Sequence, residues 1–504
     1  MPGRSTVRAI VCLACTLAAG AARAQGRGGQ NWTTYEADAQ RSSWVRTDPR
    51  ISRESVEKPG SFQLIWKAKL DNQSLQLNSL TEALLLNSII SYKGFKSLAF
   101  IGGSAGNVYA IDYDLNRMFW TRRLNTSTTM GGTAQCPGGL TAITRATPLI
   151  QGSTAGRGGP PPAPPAPARG GGGGGGGGLQ MGMNLGSAVY AIAGDGSVHV
   201  LNPQTGQDLS PPVKMLGPNA KVIGSVLVDG VLYAATADNC GNVPSGVWAM
   251  DLGATAKTAV NWPTRGGSVV GHAAPTLGAD GTVYVATSDG DIAALQPRTL
   301  TLKDSFTAGS PFAGAPIAFE YKGRQMIVAA NKDGRLYVLD GASLKGPVLQ
   351  SGQFTAGASD SALASWEAAD GTRWIVAASP GPTASETKFP ATNGAVTNGS
   401  IVAFKLLDQN GALAVQPAWS SRDISAPASP IVVNGVVFAL AGGGPGAGSA
   451  VLYALDGATG KELWTSGTAM TSFVHSGGLS AGDGQVYVPT YDNTLYAFGI
   501  PLEH

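Results

Sequence analysis

The sequence predicts an all-β fold, a closed β-propeller of about eight four-stranded blades. Three observations predict it: a recurring strand-turn-tryptophan motif, many Asp-Gly and Asn-Gly pairs, and a composition with 71 glycines and only 13% charged residues. The motif recurs at a spacing of roughly 43–50 residues, a period typical of propeller blades made of short strands. Each such repeat buries its apolar face only against its neighbours, so the repeats should form one large domain.

The recurring motif is clearest in NVYAIDYDLNRMFW, Asn107 to Trp120, and in VLYALDGATGKELW, Val451 to Trp464. We expect the terminal tryptophan to pack between blades rather than to contact a ligand. Two wider gaps between copies are explained by insertions, a Pro/Gly-rich segment at 152–178 and a second one around Pro380–Gly399. Weaker copies of the motif begin at Ser197, Gly246, Asp291, Arg335, Ser400 and Thr494.

The Asp-Gly and Asn-Gly pairs lie between apolar runs and predict hairpin turns. Such pairs favour the positive-φ conformations of two-residue β-hairpin loops. In ADGTVYVATSDGDIAAL two pairs, Asp280-Gly281 and Asp289-Gly290, bracket one strand. The spacing of these aspartates does not match a calcium-binding loop, and turn formation explains them better.

The two ends of the chain predict how the ring closes. Residues 1–24 have a basic n-region, an apolar h-region and an Ala-x-Ala site, which together indicate a secretory signal peptide. Residues 25–60 form a polar lead-in, and 61–504 form the propeller. The last repeat, from Thr494, lacks a tryptophan-bearing outer strand, and FQLIWKAKL, which contains Trp66, supplies one. The N-terminal strand should therefore complete the last blade.

Charge and cysteine content restrict the partners and the compartment. Without Arg4, Arg8 and Arg23 the net charge of +3 falls to about 0, and a neutral chain lacks the basic field that nucleic-acid binding needs. No stretch after the signal peptide is long and apolar enough to cross a membrane. We expect a protein secreted across the inner membrane into the periplasm, where Cys136 and Cys240 could form a disulfide.

The repeat resembles that of pyrroloquinoline quinone (PQQ) propellers. Tyr-Ala-Leu-Asp, a Thr-Gly turn and Leu-Trp at Tyr453–Trp464 look like the PQQ-type repeat, and the lead-in from Trp32 is similar to the N-terminal segment of quinoprotein alcohol dehydrogenases. The resemblance implies oxidation of alcohols or sugars, with PQQ on the propeller axis and calcium as a candidate metal. It equally implies a non-enzymatic scaffold, like the barrel-assembly lipoprotein, that binds another envelope protein.

The sequence departs from the dehydrogenase pattern at the residues that carry the chemistry. It has no adjacent Cys-Cys pair and no residue-by-residue match to the calcium-binding Glu and Asn or to the catalytic Asp. A covalent c-type haem is excluded because residues 25–504 contain no C-x-x-C-H motif. A dehydrogenase would therefore need a separate electron acceptor.

Candidate site residues come from aligning the starts of the blades. RATP at Arg145, HAAP at His272 and HSGG at His475 fall at one apparent repeat position, and Asp360 lies near the equivalent position in another blade. These side chains are expected to converge on the axis around a small-molecule ligand. Arg145 would bind a cofactor carboxylate, His272 and His475 would contact the ligand or transfer protons, and Asp360 would be the carboxylate. The alternative is structural: a channel histidine capping a backbone group or binding water, and Arg145 forming a salt link between two blades.

Overall fold

Eight antiparallel sheets account for most of the described chain. The computed structural model describes residues 31–74, 79–91, 94–124, 136, 140–150, 185–357, 362–409, 412–474 and 478–501. The predicted signal peptide, the Pro/Gly-rich insertion at 152–178, Asp360 and His475 lie outside these residues. The sheets follow one another along the chain as four-stranded meanders, so the fold is the predicted β-propeller.

We number the blades 1–8 in chain order and give their strands from the axis outward. Blades 1 to 4 consist of Leu84–Ser91, Gly94–Gly102, Asn107–Asp112 and Arg117–Arg123; Ala142–Arg145, Val189–Ile192, Ser197–Leu201 and Val213–Lys214; Lys221–Val228, Val231–Ala237, Gly246–Asp251 and Ala259–Pro263; and Thr276–Leu277, Val283–Ala286, Asp291–Leu295 and Leu302–Thr307. Blades 5 to 8 consist of Ile317–Tyr321, Arg324–Ala330, Leu336–Asp340 and Ser343–Gln350; Ala364–Glu367, Arg373–Pro380, Gly399–Gln409 and Ala412–Ser420; Ile431–Val433, Val436–Ala441, Val451–Asp456 and Glu462–Thr465; and Ser480–Gly482, Gln485–Pro489, Thr494–Gly499 and Gln63–Lys69.

Short elements complete the described chain. The short strand Trp44–Val45 pairs in parallel with blade 7, and the short strand Ala391–Thr392 pairs in parallel with blade 6. The helical elements in the described ranges are the α-helix Arg53–Glu57 and the 3₁₀ turns Leu185–Ser187 and Cys240–Asn242. No helix in the described ranges is long and apolar enough to cross a membrane.

The ring closes as the sequence predicts. Gln63–Lys69 pairs antiparallel with Thr494–Gly499, and Trp66 lies opposite Ala497. The N-terminal strand is thus the outer strand of blade 8. This pairing removes two sheet edges that would otherwise be exposed to other chains.

The predicted hairpin turns are present where both residues of a pair have positive φ. Three pairs have this conformation, with φ between 46° and 80°. It is the backbone geometry of a type I′ turn, in which glycine pays no steric penalty at the second position. The three pairs are Asp229-Gly230, Asn434-Gly435 and Asp483-Gly484.

The motif tryptophans pack between blades, which confirms the interpretation of the repeat. The Trp419 indole of blade 6 donates its Nε1–H to the carbonyl of Gly457 in blade 7 at 2.8 Å. Its ring covers Gly460, where an added Cβ would lie 2.3 Å from the indole. Trp120 of blade 1 makes the same contact with blade 2, donating to Pro203 O at 2.8 Å and covering Gly206.

A disulfide joins blades 2 and 3. Cys136, which precedes the inner strand of blade 2, is bonded to Cys240, in the 3₁₀ turn of blade 3, with the two Cα atoms 5.5 Å apart. The sequence left open whether these two cysteines approach each other, and in this fold they do.

Candidate functional site

The N-terminal lead-in occupies the axis of the ring. We call Asn31–Asp48 the axial segment. It forms hydrogen bonds of 2.7–2.9 Å with the innermost strand of each of blades 1 to 7, in chain order, and with the first hairpin turn of blade 8. A segment that contacts all eight blades in sequence must run around the centre of the channel. The pairs are Trp32 with Leu85, Thr33 with Arg145, Thr34 with Ser225, Ala39 with Leu277, Gln40 with Ala318, Ser42 with Ser365, Ser43 with Val432, and Asp48 with Gly484.

A tight turn in the axial segment presents a glutamate to the centre of the ring. Glu36 and Ala37 both have positive φ, 54° and 77°, and Thr34 pairs with Ala37 across the turn. Non-glycine residues in this conformation are uncommon and are held there by surrounding contacts. Here one such contact is the Glu36 amide, which donates to a carboxylate oxygen of Glu82 at 3.0 Å.

Glu36, Glu82 and His272 form what we call the axial cluster. His272 Nε2 lies 3.7 Å from Glu36 Oε1 and 3.7 Å from Glu82 Oε1, distances suited to ion pairing but too long for a hydrogen bond. Glu82 Oε2 accepts from Trp32 Nε1 at 3.1 Å. Both oxygens of Glu36 and Nε2 of His272 are buried without a hydrogen-bond partner among the described residues. Buried polar atoms left unpaired are costly, so this cluster lacks an interaction that it could make.

The cluster combines distant parts of the chain at one face of the ring. Glu82 precedes the inner strand of blade 1, His272 precedes the inner strand of blade 4, and Glu36 comes from the axial segment. We call the face where the inner strands begin the front face. The two glutamates are almost fully buried, at 3% and 2% exposure, whereas the His272 side chain is 35% exposed. The exposed part of the His272 ring is the part away from Nε2, because Nε2 itself is buried.

Burial sets the protonation of Glu36. Desolvation raises the pKa of Glu36 from 4.5 to about 8, and the nearby charge of His272 only partly opposes this shift. Burial alone would lower the pKa of His272, but the interactions with Glu82 and Glu36 outweigh it and raise that pKa above 6.5. At neutral pH the cluster consequently holds at least one proton that exposed side chains of the same types would release.

Arg41 anchors the axial segment beside the cluster. Its guanidinium donates to the carbonyls of Pro275, Tyr35 and Ser225 and to the Thr34 hydroxyl, at 2.6–3.4 Å. The side chain is fully buried, and desolvation lowers its pKa to about 10, so it stays charged at neutral pH. All of these partners are protein atoms, which ties the guanidinium to the fold.

Of the four predicted site residues, His272 is at the axial cluster. Arg145 is buried at the C-terminal end of its inner strand, where it donates to Leu85 O of blade 1 at 2.5 Å. His272 instead precedes its strand, so the two residues do not share a repeat position. The Arg145 bond joins blades 1 and 2 through a backbone carbonyl, not through the salt link of the structural alternative. Asp360 and His475 lie outside the described residues.

Glu36 and Glu82 were not predicted from the sequence as site residues. Glu82 is a single acid in the apolar stretch LTEALLL, directly ahead of the first blade. Such a residue is nearly always paired when buried, and this signal could have identified it. No feature of the sequence marks Glu36 as buried, because the surrounding stretch WTTYEADAQ is polar and has the composition of an exposed segment.

The described residues do not fit the tricarboxylate PQQ. Three carboxylates require cationic or donor partners, whereas the axial cluster itself carries two carboxyl groups. Two buried arginines at the inner strands, Arg41 and Arg145, donate to backbone carbonyls. Among the described residues no three His, Cys, Asp or Glu side chains are arranged to hold a metal ion. We therefore derive no reaction step through PQQ or calcium.

Comparison with known proteins extends only to the fold. The chain is similar to a europium-containing methanol dehydrogenase, with 12% identity and a TM-score of 0.57 over 94% of this chain and 98% of the other. It is also similar to a quinohemoprotein alcohol dehydrogenase from Pseudomonas putida, with 13% identity and a TM-score of 0.56 over 94% and 82% of the two chains. A computationally designed protein matches with 15% identity and a TM-score of 0.51 over 86% and 98%. No protein-family model and no curated protein matches the sequence.

These similarities establish a propeller fold shared with quinoprotein dehydrogenases. Because a designed protein matches nearly as well as the enzymes do, the shared fold by itself does not establish an activity.

Proposed function

We propose that the axial cluster binds a small neutral molecule bearing hydroxyl groups, an alcohol or a sugar, and exchanges protons with it. The observation that carries the proposal is the set of buried, unpartnered polar atoms on Glu36 and His272 beside a histidine with 35% exposure. Two atoms 3.7 Å apart can share one neighbour at about 2.8 Å from each. A ligand hydroxyl placed between them would therefore contact His272 Nε2 and a carboxyl oxygen together, and it would enter past the exposed edge of the His272 ring, which has to turn because Nε2 is buried.

Each residue of the cluster has a distinct role in this proposal. Protonated Glu36, whose pKa is about 8, would donate a hydrogen bond to the ligand oxygen. Glu82, held by the Trp32 indole, would accept the hydroxyl proton, and His272 would act as the exposed acid or base. A carboxylate base of this kind is the one part of alcohol oxidation that the described residues supply.

Two predicted residues keep their proposed roles at the ligand. His475 is proposed to contact the ligand or transfer a proton, and Asp360 to supply a further carboxylate. For Arg145, the bond to Leu85 O supports the role of a link between blades.

The test is calorimetric titration of the protein beginning at Gln25 with alcohols and aldoses, and with PQQ in the presence and absence of calcium. We expect a hydroxylated ligand to bind, and His272→Gln to weaken it at least tenfold. His199→Gln is the matched control, because His199 pairs with Asp208 at 2.9 Å on blade 2, away from the axis. Equal binding by the two variants, or no binding of any alcohol or aldose, would contradict the proposal.

PQQ binding with dye reduction would establish a quinoprotein dehydrogenase, in which case a separate electron acceptor is required. Hydroxyl-compound binding without PQQ uptake would leave a binding protein with an acid–base site.

A protein-interaction scaffold is the second candidate function. The observation that favours it is a group of exposed apolar side chains on blade 1, where Ile90 and Phe95 are 73% and 74% exposed and Leu115 is 53% exposed. Patches of this kind mark interaction surfaces in soluble proteins. Failure of every small molecule in the titration would favour this function and an envelope protein as partner.

We also propose that the chain is secreted to the periplasm. The Cys136–Cys240 disulfide supports this, since such bonds persist in oxidising compartments. N-terminal sequencing of protein isolated from the periplasmic fraction should begin at Gln25, and a start at Met1 would oppose the proposal.

A further inference from the structure

Blades 2 to 5 lack a tryptophan at the position where the outer strands of blades 1, 6, 7 and 8 have Trp120, Trp419, Trp464 and Trp66, and in blade 2 a serine stands there. In blade 7 the strand reads KELW, Lys461 to Trp464, and in blade 2 the matching residues read QDLS, Gln207 to Ser210. Backbone hydrogen bonds fix the alignment: Asp456 donates to Lys461 O, and Asn202 donates to Gln207 O, both at 2.8 Å. Ser210 therefore stands where blade 7 has Trp464.

The missing side chain leaves a pocket at the joint between blades 2 and 3. The pocket has a volume of about 280 Å³, and Ser210 lies in its wall. Blade 2 contributes the apolar Val198, Val200 and Leu209, and blade 3 contributes Leu252 and Lys257. A 150 Å³ apolar cavity already accepts a benzene molecule, so this space is large enough for a bicyclic aromatic ring with a substituent.

The equivalent joints show what such a pocket accommodates. At the joint of blades 6 and 7, the Trp419 indole donates its N–H to the carbonyl of Gly457, the first residue of the turn. In blade 3 the same position is Leu252: its amide donates to Gly230 O at 2.9 Å, as the amide of Gly457 donates to Gly435 O at 2.9 Å. The Leu252 carbonyl is thus the counterpart of the acceptor that an indole N–H uses elsewhere in the ring.

Lys257 adds a charge to this apolar pocket. It follows the same turn in blade 3 and lines the pocket, and within the described part of the chain it forms no ion pair. A cation at the edge of an aromatic-sized pocket favours a ligand with an anionic substituent.

We propose that this pocket binds an indole-type aromatic acid, with the ring in the space that an indole side chain fills at other joints and the carboxylate at Lys257. The site lies on the rim of the ring and is independent of the axial cluster and of its proposed function.

The test uses the protein beginning at Gln25 and calorimetric titration with indole-3-acetate, indole and cyclohexylacetate. We expect indole-3-acetate to bind more tightly than indole and at least tenfold more tightly than cyclohexylacetate. Ser210→Trp should abolish binding, because its own indole fills the space, whereas Ser210→Ala should retain it. Lys257→Gln should weaken indole-3-acetate several-fold without changing the affinity for indole.

Further variants and ligands keep the test decisive. If Ser210→Trp does not fold, Val200→Phe fills the same pocket with a smaller ring and should also reduce binding. Tighter binding of N-acetyltryptophanamide than of indole-3-acetate would overturn the proposal that the ligand is an acid. It would indicate that the pocket binds a tryptophan side chain of a partner protein. Unchanged binding in both filled variants would overturn the pocket assignment. Binding that appears only after deletion of residues 152–178 would also overturn the proposal, because that segment of the chain would then be what occupies the pocket.

Discussion

The axis and the rim of the ring are held together in different ways. On the rim, the indole of Trp419 packs over a glycine of the next blade, and Trp120 repeats the contact elsewhere in the ring. On the axis, a single polar segment forms hydrogen bonds with all eight blades, and it contains buried ionisable side chains such as Arg41 and Glu36. A change on the rim should loosen one joint, whereas a change on the axis should affect several blades at once.

The difference also separates stability from function. Apolar joints are satisfied by their own packing, and Trp419 is fully buried. The axial cluster instead contains unpartnered polar atoms and an exposed histidine. A protein tolerates such a cost where the groups serve a ligand, which is why we place the function at the axis.

The largest effect is expected for Arg41→Met. The substitution removes hydrogen bonds to three carbonyls and a hydroxyl and leaves these buried acceptors unpaired, so the unfolding free energy should fall by about 5 kcal/mol. Chemical denaturation measures this loss. Arg298→Met is the control: Arg298 is exposed and paired with Asp251, and its loss should cost less than about 1 kcal/mol. Equal losses in the two variants would contradict the axial anchor.

A somewhat smaller effect is expected for Trp419→Ala on the rim. Removing a fully buried indole should cost about 3–5 kcal/mol. Hydrogen exchange should show the loss of protection concentrated in blades 6 and 7, since the contact joins only these two. Protection lost evenly around the ring would mean that the rim acts as cooperatively as the axis.

Reduction of the Cys136–Cys240 disulfide should cost about 2–4 kcal/mol, because the bond closes a loop with a sequence separation of 104 residues. The bond links the two blades whose joint has Ser210 in place of tryptophan. Thermal melting with and without dithiothreitol measures the effect, and the double variant Cys136→Ala, Cys240→Ala should not respond to the reductant. In Ser210→Trp the loss on reduction should be smaller, because the restored indole also holds this joint.

The effect of pH is the smallest when it is taken over one pH unit. The pKa of Glu36 is about 8 in the folded protein against 4.5 for an ordinary glutamate. Between these values the folded state keeps a proton that the unfolded chain has released, so the unfolding free energy falls as pH rises from about 4.5 to about 8. His272, whose pKa is also raised, acts in the same direction.

Glu36→Gln should remove most of this slope, which is at most about 1.4 kcal/mol per pH unit. It should therefore melt at a higher temperature than the wild type at pH 8. Glu57→Gln, at an exposed position of the short helix, should keep the slope. An unchanged slope in Glu36→Gln would mean that Glu36 titrates normally.

Much of the rim could be predicted from the sequence. The positions of Trp120 and Trp464 after Tyr-Ala strands, the Asp-Gly turns and the pairing of Trp66 with the last repeat all depend on contacts within a blade or between adjacent blades. Contacts of this kind recur with the period of the repeat, and a repeating pattern can be read from one chain.

The site was predicted only in part. His272 was selected from its sequence motif, and the structure places its Nε2 3.7 Å from Glu36 and from Glu82, while its catalytic role stays a prediction. Arg145 was aligned with it, but Arg145 ends its inner strand while His272 precedes one. Local motifs do not reveal where a strand begins. Alignment of HAAP with RATP therefore assigned His272 and Arg145 to the same repeat position, although they occupy different positions relative to their strands.

By itself, the sequence determined the all-β class, the blade repeat and the closure of the ring by the N-terminal strand, because these follow from strand patterning and from turn residues that act locally. Only the tertiary structure decided that the lead-in runs along the axis, that Glu36 and Glu82 meet His272, and that Ser210 leaves a pocket. Each of these depends on residues far apart in the chain whose side chains become neighbours only when eight blades close around one centre.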